Sequence, residues 1–287
     1  MAPEVAVRGD SRHDLTSADM WIRLRQIAVA CADLNEVATG LSAVFGVEAC
    51  FTDPGVATFG LKNTLWPIGT QFIECVTPIG NDPASTAAGR YMQRRGGDTG
   101  YMVICEVDDI AARRATVDEL GVRVAYDLNF PDEGHIGIQL HPADTGGSFL
   151  EMDQMVMPGG GEPGGPWWPA GRNWHPYVRT DRVDAITAAT IASPNPLALA
   201  TRWAEITQVP FDLDDEQRPM LAFENAVIRF VPESDGRGER LCGIDLGCTN
   251  LAQVIDAADR FGYRSGDRKV NVAGLDITLV ESSLTTV

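Results

Sequence analysis

Two glutamates lie at matching places in two similar segments of the chain, Glu74 in TQFIECVTP and Glu151 in GSFLEMDQM. If both segments contribute strands to one apolar interior, the two carboxylates cannot both ionise readily, and one pKa rises. Such a pair supplies a base and an acid near neutral pH, as proton transfer next to a carbonyl group requires. The alternative is that both glutamates are relics held by hydrogen bonds. The free energy needed to bury an idle carboxylate favours a function.

An internal repeat would position these glutamates. RQIAVACADLNEVATGLSAVFGVEA and GYMVICEVDDIAARRATVDELGVRV each predict a strand, an aspartate N-cap, a helix with an apolar stripe and a closing glycine. Three strand-like runs follow each helix. Aligning the halves pairs Gln26 with Met102 and Glu74 with Glu151, at separations of 48 and 49 residues. The spacing predicts two β-α-β-β-β units in residues 20–155.

The rest of the chain predicts a fainter copy of the same pattern. VDAITAATIASPNPLALATRWAEITQVP and AVIRFVP suggest one unit, and RLCGIDLGCTNLAQVIDAADRFGYR with GLDITLVESS suggests another. One helix on a few strands cannot close a core alone, so units are expected to pair. The fold class is therefore α+β, with paired βαβββ modules that form cupped mixed sheets, two modules in tandem.

A stretch rich in glycine, proline and tryptophan divides the chain. MPGGGEPGGPWWPAG supports neither a helix nor a sheet ladder. We predict a polar leader over residues 1–20, a first module over 21–156, a connector over 157–174 and a degenerate second module over 175–287. The tryptophans of the connector are too apolar for solvent, so we expect it to pack against a module or line the mouth of a pocket.

Charge and composition exclude several classes of partner. The net charge of −17 disfavours nucleic acid and anionic membranes, because both would be repelled. No apolar run approaches the roughly 20 residues of a membrane span, and the first 20 residues lack the apolar segment of a signal peptide. Six cysteines without a CxxC pair suggest reduced thiols in a cytoplasmic protein.

Three motifs carry a resemblance to a known superfamily. FIECVTPIGNDP, GYMVICEVDDI and IQLHPADTGGSFLEMDQ, within residues 22–155, resemble the vicinal oxygen chelate superfamily, which includes glyoxalase I, extradiol dioxygenases, bleomycin-resistance proteins and methylmalonyl-CoA epimerase. The first module is most similar to the epimerase branch. The resemblance implies an open cup that holds a divalent metal on four strand positions, usually His, Gln or Glu, His and Glu.

Carried onto this chain, those ligand positions are Gln26, Glu74, Met102 and Glu151, so both histidines are absent. A thioether is a soft ligand that suits hard divalent ions poorly. We therefore expect no cofactor and no zinc or iron site, while weak binding of Mg or Mn stays open.

Further residues are assigned around the two glutamates. Tyr101 is expected to polarise a substrate oxygen with its phenolic hydroxyl, a role otherwise taken by metal. Gln26, Met102 and His141 are expected to contact substrate. His141 belongs to the LHP motif, where the resemblance implies a residue that does not ligate metal. In the second module, only Glu281 is expected at a ligand-like position.

The favoured function is a metal-independent isomerase, epimerase or lyase, with Glu74, Glu151 and Tyr101 acting on a small carbonyl-bearing molecule. The alternative is a protein of the bleomycin-resistance type that sequesters a small ligand. A metal-dependent dioxygenase is the least favoured. The expected partner is a small-molecule substrate, and a homodimer stays open.

Overall fold

A computed structural model describes residues 20–282, so the predicted leader lies outside the described residues except for its last residue. The helices are α1 (Leu34–Phe45), α2 (Ala87–Arg95), α3 (Ile110–Glu119), α4 (Pro142–Thr145), α5 (Pro196–Thr207) and α6 (Leu251–Phe261). The strands of the first sheet are β1 (Ile22–Ala30), β2 (Leu61–Ile68), β3 (Gln71–Pro78), β4 (Thr99–Val107), β5 (Val124–Phe130), β6 (His135–Leu140) and β7 (Phe149–Met155). Those of the second are β8 (Val183–Ser193), β9 (Phe211–Leu213), β10 (Pro219–Ala222), β11 (Val227–Pro232), β12 (Arg240–Cys248), β13 (Arg264–Gly266), β14 (Lys269–Val272) and β15 (Leu275–Glu281).

The first sheet joins two β-α-β units through their opening strands. Its order is β2-β3-β1-β4-β7-β6-β5, with β1 and β4 antiparallel at the centre. On either side, β1 pairs with β3 and β4 pairs with β7, both parallel. This arrangement brings the strands that carry the four aligned positions together in the middle of one sheet.

The second sheet repeats this plan with eight strands, in the order β13-β14-β15-β12-β8-β11-β10-β9. Strands β8 and β12 are antiparallel at its centre, and β11 and β15 flank them in parallel. The α+β class with two mixed sheets in tandem is thus confirmed.

The first half of the first sheet departs from the predicted pattern. Only β2 and β3 follow α1, and the third expected strand is reduced to an isolated bridge between Phe51 and Leu65. Helix α2 lies between β3 and β4.

One apolar core is shared by both sheets. It contains Ile27 and Val103 from the first sheet and Ile191 and Leu246 from the second, all fully buried. Helices α1 and α6 contact each other across it, as do α3 and α5. Within residues 20–282, no helix combines the length and apolar character that crossing a membrane requires.

The start of α1 depends on Asp33, whose carboxylate accepts hydrogen bonds from the backbone N–H groups of Asn35 and Glu36 at 2.8 and 3.3 Å. We expect Asp33→Ala to lower the free energy of unfolding by about 1 kcal/mol, the usual effect of losing an N-cap acceptor. Asp33→Asn keeps an acceptor oxygen and should stay close to the parent. Urea denaturation measures both, and equal values for Asp33→Ala and parent would contradict the capping role.

Candidate active site in the first cup

The face of the first sheet opposite the shared core carries the four aligned residues Gln26, Glu74, Met102 and Glu151, and we call it the first cup. A β-bulge interrupts the β1–β4 register between Leu24 and Gln26, and a second occurs opposite Ala28 and Val29. A bulge inserts one extra residue and changes the direction of the side chains beside it. Tyr101, at the second bulge, and Met102 consequently belong to the same apolar cluster. The bulge brings both residues to the side where one histidine was expected.

Glu74 is held by two amide side chains. Gln26 Nε2 donates to Glu74 Oε2 at 2.8 Å, and Asn63 Nδ2 donates to Oε1 at 2.6 Å. Glu74 is only 7% exposed. Burial raises the pKa of this carboxyl above its usual value, while the two donated hydrogen bonds oppose that rise. Both amides stabilise the ionised form that a general base requires.

Glu151 has a different environment. Gln139 Nε2 donates to Glu151 Oε2 at 2.9 Å. Burial raises the pKa of Glu151 well above its usual value; the neighbouring charge of Asp153 adds to the rise, and that of Glu74 contributes further. Of the two acidic neighbours, Asp153 therefore contributes more to the raised pKa of Glu151 than Glu74 does. Glu74 thus has two amide donors, whereas Glu151 has one.

A buried histidine adjoins this acidic group. His135 Nε2 lies 3.3 Å from Asp153 Oδ1, and both side chains are almost fully buried. Asp153 lies over Gly137, where an added Cβ would come within 2.0 Å of its Oδ1. Gly137 thus makes room for the carboxylate next to Glu151.

These polar neighbours were missed in the sequence. Asn63 alternates with buried Leu61 and Leu65 on β2, so a polar residue at an inward alternate position was the available signal. Gln139 alternates with His135 and Gly137 on β6, so no such contrast marks it in the sequence. For Asp153, the signal was its spacing of two residues from Glu151, which places both side chains on one face of a strand.

The raised pKa of Glu151 predicts a dependence of stability on pH. The folded protein retains the Glu151 proton where the unfolded chain, with the usual value of 4.5, has released it. The contribution of Glu151 to the free energy of unfolding should therefore be greatest below about pH 4.5. It should decline as the pH rises toward the pKa of Glu151 in the folded protein. Glu151→Gln removes this titrating group, so the variant lacks the decline. The free energy of unfolding of the variant minus that of the parent should therefore grow as the pH is raised from 5 to 8.

Urea denaturation across that range measures the difference. Glu119→Gln, at an exposed position on α3, is the matched control and should follow the parent at every pH. Parallel profiles for Glu151→Gln and parent would contradict the linkage.

Tyr101 lies in an aromatic group at one end of the first cup. Its ring centroid is 5.4 Å from that of Tyr91 and 5.0 Å from that of Phe149. Burial raises the pKa of Tyr101, so its hydroxyl keeps its proton and can donate a hydrogen bond.

His141 lies directly beyond the end of β6, the strand that begins at His135. It is the N-cap of the short helix α4, where its Nδ1 accepts a hydrogen bond from the backbone N–H of Ala143 at 3.2 Å. This contact accounts for a local structural role. Its predicted contact with substrate stays a prediction.

The residues at the four aligned positions do not fit a divalent metal. Gln26 directs its amide nitrogen to Glu74, and its oxygen accepts a hydrogen bond from Trp167 Nε1 at 2.9 Å. Both oxygens of Glu74 accept hydrogen bonds, and Met102 offers only a thioether sulfur. Within residues 20–282, no three His, Cys, Asp or Glu side chains are grouped as metal ligands would be.

The connector covers the first cup. Trp167 and Trp174 are almost fully buried in its apolar cluster, and Trp174 makes an edge contact with Phe72 at 5.0 Å between ring centroids. This agrees with the expectation that the tryptophans pack against a module. The connector thereby limits access to Glu74 and Glu151.

A buried ion pair fixes the connector in place. Arg25 Nη1 lies 2.8 Å from Glu106 Oε2. Arg25 also donates to the carbonyl oxygen of Gly165 at 3.1 Å, and Glu106 Oε1 accepts from the N–H of Gly161 at 3.1 Å. The guanidinium carbon of Arg25 is 5.0 Å from the centre of the Trp167 ring. Each member of the pair therefore binds both its partner and the connector backbone.

Register assigns different residues to the corresponding positions of the second sheet. In the first sheet, Glu74 pairs with Ala28. A bulge in the β1–β4 pair directly follows Ala28, and a bulge in the β8–β12 pair directly follows Thr190, so Thr190 corresponds to Ala28. Thr190 pairs with Arg229, so Arg229 replaces Glu74. The prediction for Glu281 is wrong, because Glu281 pairs with Cys248 at the far end of β15.

A protein-family model described as "Glyoxalase-like domain" matches residues 23–207 of this chain. Human mitochondrial methylmalonyl-CoA epimerase is 27% identical over 159 residues, which is 53% of this chain and 88% of that protein.

Two solved structures are similar over most of the chain. A hypothetical protein from Staphylococcus aureus has a TM-score of 0.61 at 11% identity, covering 91% of this chain and 99% of its own. The Mn(II)-bound glyoxalase from Novosphingobium aromaticivorans has a TM-score of 0.58 at 14% identity, covering 89% and 81%. At these identities the likeness establishes the fold.

Proposed function

The chain belongs to the family of glyoxalase-like domains, and on that premise we propose that it is a metal-independent isomerase or lyase that moves a proton next to a carbonyl group. The observation that supports this most directly is the pair of buried carboxyls, Glu74 and Glu151, in unlike environments. Environments that separate the pKa values of two carboxyls are how acid and base roles are divided between them.

Glu74 is proposed as the base and Glu151 as the acid. Two amide donors favour the carboxylate form of Glu74. Glu151 has one amide donor and lies beside Asp153, which favours its protonated form. This assignment accounts for the amide pair around one glutamate and the acidic neighbour beside the other.

In the epimerisation we propose, Glu74 removes the proton from the carbon next to the carbonyl, and the electron pair moves onto the carbonyl oxygen. Glu151 then delivers its proton to the opposite face of that carbon as the carbonyl re-forms. Tyr101 is proposed to donate a hydrogen bond to the oxygen while it carries the charge. Exchange with solvent afterwards restores the starting protonation of both glutamates.

Deuterium exchange tests this function. The protein is incubated in D₂O with methylmalonyl-CoA, the compound in the name of the human relative, and with a panel of small 2-substituted keto acids and thioesters. Proton NMR follows loss of the signal at the carbon next to the carbonyl. Exchange above the buffer rate for any panel member supports the proposal.

A binding protein is the second candidate, and one observation favours it. Trp167 and Trp174 place aromatic surface over the same cup, and aromatic walls of this kind retain apolar ligands. Under this alternative, Glu74 and Glu151 would accept hydrogen bonds from a bound ligand, and the ligand would be released without any chemical change. Ligand binding without deuterium exchange would be the result that separates the two functions.

A further inference from the structure

The corresponding face of the second sheet, which we call the second cup, contains a cavity of about 310 Å³. Residues of β8, β11, β12, β14 and β15 line it, among them Thr190, Arg229, Asp245, Lys269 and Thr278. Its volume lies at the lower end of the range typical of sites for small ligands, about 300–1,000 Å³. It lies in the other module, away from Glu74 and Glu151.

The floor of the second cup is set by strand register. Asp276 pairs with Gly243, Gly243 with Thr190, and Thr190 with Arg229, which makes one row across four strands. The backbones at the two ends are about 14 Å apart, from three strand spacings of about 4.8 Å each. Gly243 leaves the floor open, and a Cβ there would come within 2.6 Å of the Asp276 carbonyl oxygen. An acidic and a basic side chain therefore stand at opposite ends of an open floor.

Basic side chains outnumber acidic ones by one in the lining of this cavity, although the whole chain is strongly acidic. Four basic residues face three acidic ones in the lining: Arg218, Arg229, Arg240 and Lys269 against Asp235, Asp245 and Asp276. Within residues 20–282, Lys269 makes no ion pair, whereas each of the three arginines has a carboxylate partner. Lys269 is thus the cation available to an anionic ligand.

The polar groups of the floor are suited to hydroxyl groups. Thr190 and Thr278 both donate and accept hydrogen bonds. Asp276 accepts one hydrogen bond from Asn271 Nδ2 at 2.7 Å through Oδ1, and its second oxygen can accept another. No aromatic side chain belongs to the described lining of the cavity. These features favour a ligand with hydroxyl-bearing carbons over a planar or apolar one.

We propose that the second cup is a separate binding site for a small hydroxylated oxyanion, a carboxylate or phosphate group carried on hydroxyl-bearing carbons. Lys269 binds the oxyanion, and Thr190, Thr278 and Asp276 bind the hydroxyl groups. This proposal does not depend on the function proposed for the first cup.

Calorimetric titration with four probes tests the ligand chemistry. The probes are gluconate, glucose 6-phosphate, uncharged glucose, and hexanoate, a carboxylate without hydroxyl groups. Gluconate or glucose 6-phosphate should bind at least tenfold more tightly than glucose and hexanoate. Binding of gluconate alone identifies a carboxylate ligand, and binding of glucose 6-phosphate alone a phosphate. Equal affinity for all four, or no binding of either hydroxylated anion at millimolar concentration, would overturn the proposal.

The chain has only two lysines, Lys62 and Lys269, both exposed, which gives a matched pair of variants. Lys269→Gln should weaken binding of the hydroxylated anion about tenfold or more, the effect of losing one hydrogen bond from a charged donor. Lys62→Gln, on β2 of the other sheet, should leave it unchanged.

Reductive ¹³C-methylation of the two lysines supplies a readout at the site itself. The anion should shift the NMR signal of Lys269 and leave that of Lys62 in place. Equal effects of the two substitutions, or a shift at Lys62 alone, would place the anion elsewhere and refute the site.

Discussion

Glu74→Gln and Glu151→Gln should each lower the rate of inversion at the carbon next to the carbonyl by about 100-fold or more, the usual scale of a lost general acid or base. Glutamine keeps the shape and hydrogen-bonding reach of glutamate but cannot take up or release the proton. The measurement is inversion of one pure epimer of whichever panel compound exchanges in D₂O. Circular dichroism of both variants checks that the fold is kept.

The two variants should differ in exchange without inversion. In Glu151→Gln, the carboxylate of Glu74 still removes and returns a proton on one face, so deuterium enters without a change of configuration. In Glu74→Gln, that exchange is lost for the same epimer. Exposed Glu119→Gln is the control and should match the parent in both assays.

Two outcomes would contradict the assignment of these glutamates. If both variants invert the substrate at the rate of the parent, the chemistry takes place elsewhere. If a ligand binds the parent and both variants equally and no exchange is found with any panel compound, the protein sequesters its ligand and is not an isomerase.

The fold was predictable because corresponding residues of the two repeated segments are separated by nearly equal numbers of residues. Matching separations between Gln26 and Glu74 and between Met102 and Glu151 required two units of one length, and such units close a core only in pairs. The missing strand near Phe51 was not predictable, because an isolated bridge and a short strand have the same local pattern.

The candidate site was predictable only in part, since bulges determine which side chains enter the first cup. Alternation along β4 would place Tyr101 and Met102 on opposite faces, yet both belong to the cluster of the cup. A bulge depends on the register between two strands, which a single strand's sequence does not encode.

The hydrogen-bond partners of the glutamates depend on tertiary contacts. Asn63 reaches Glu74 across the β2–β3 pair, and Gln139 reaches Glu151 across the β6–β7 pair. The contact of Trp167 with Gln26 joins residues 141 positions apart, so no local pattern could predict it. The apolar character of the tryptophans indicated burial but gave no partner.

Trp167→Ala should lower the free energy of unfolding by about 3–5 kcal/mol, the range for removing a large aromatic side chain from a core. The ring is 1% exposed and contacts the guanidinium of Arg25, and its Nε1 donates to Gln26 Oε1. The substitution leaves a cavity between the connector and the first cup and an unpaired acceptor on Gln26. Urea denaturation measures the change.

Two substitutions separate the contributions of Trp167. Trp167→Phe keeps most of the apolar surface but loses the donor to Gln26, and should cost about 1–3 kcal/mol, as expected for an unpaired buried polar group. Trp168→Ala, at the neighbouring half-buried residue, should cost less than Trp167→Ala. Equal effects of Trp167→Ala and Trp168→Ala would contradict the contacts described for Trp167.

The same variant shows whether the connector restricts access to the first cup. Glu74 and Glu151 are each 7% exposed beneath it, so a substrate must displace the connector or enter beside it. If displacement is required, Trp167→Ala removes contacts that hold the connector down, and kcat/KM should rise while stability falls. If the Trp167 ring is instead a fixed wall that positions the substrate, both quantities should fall together. Opposite changes in stability and kcat/KM therefore identify a gate, because a purely structural defect lowers both.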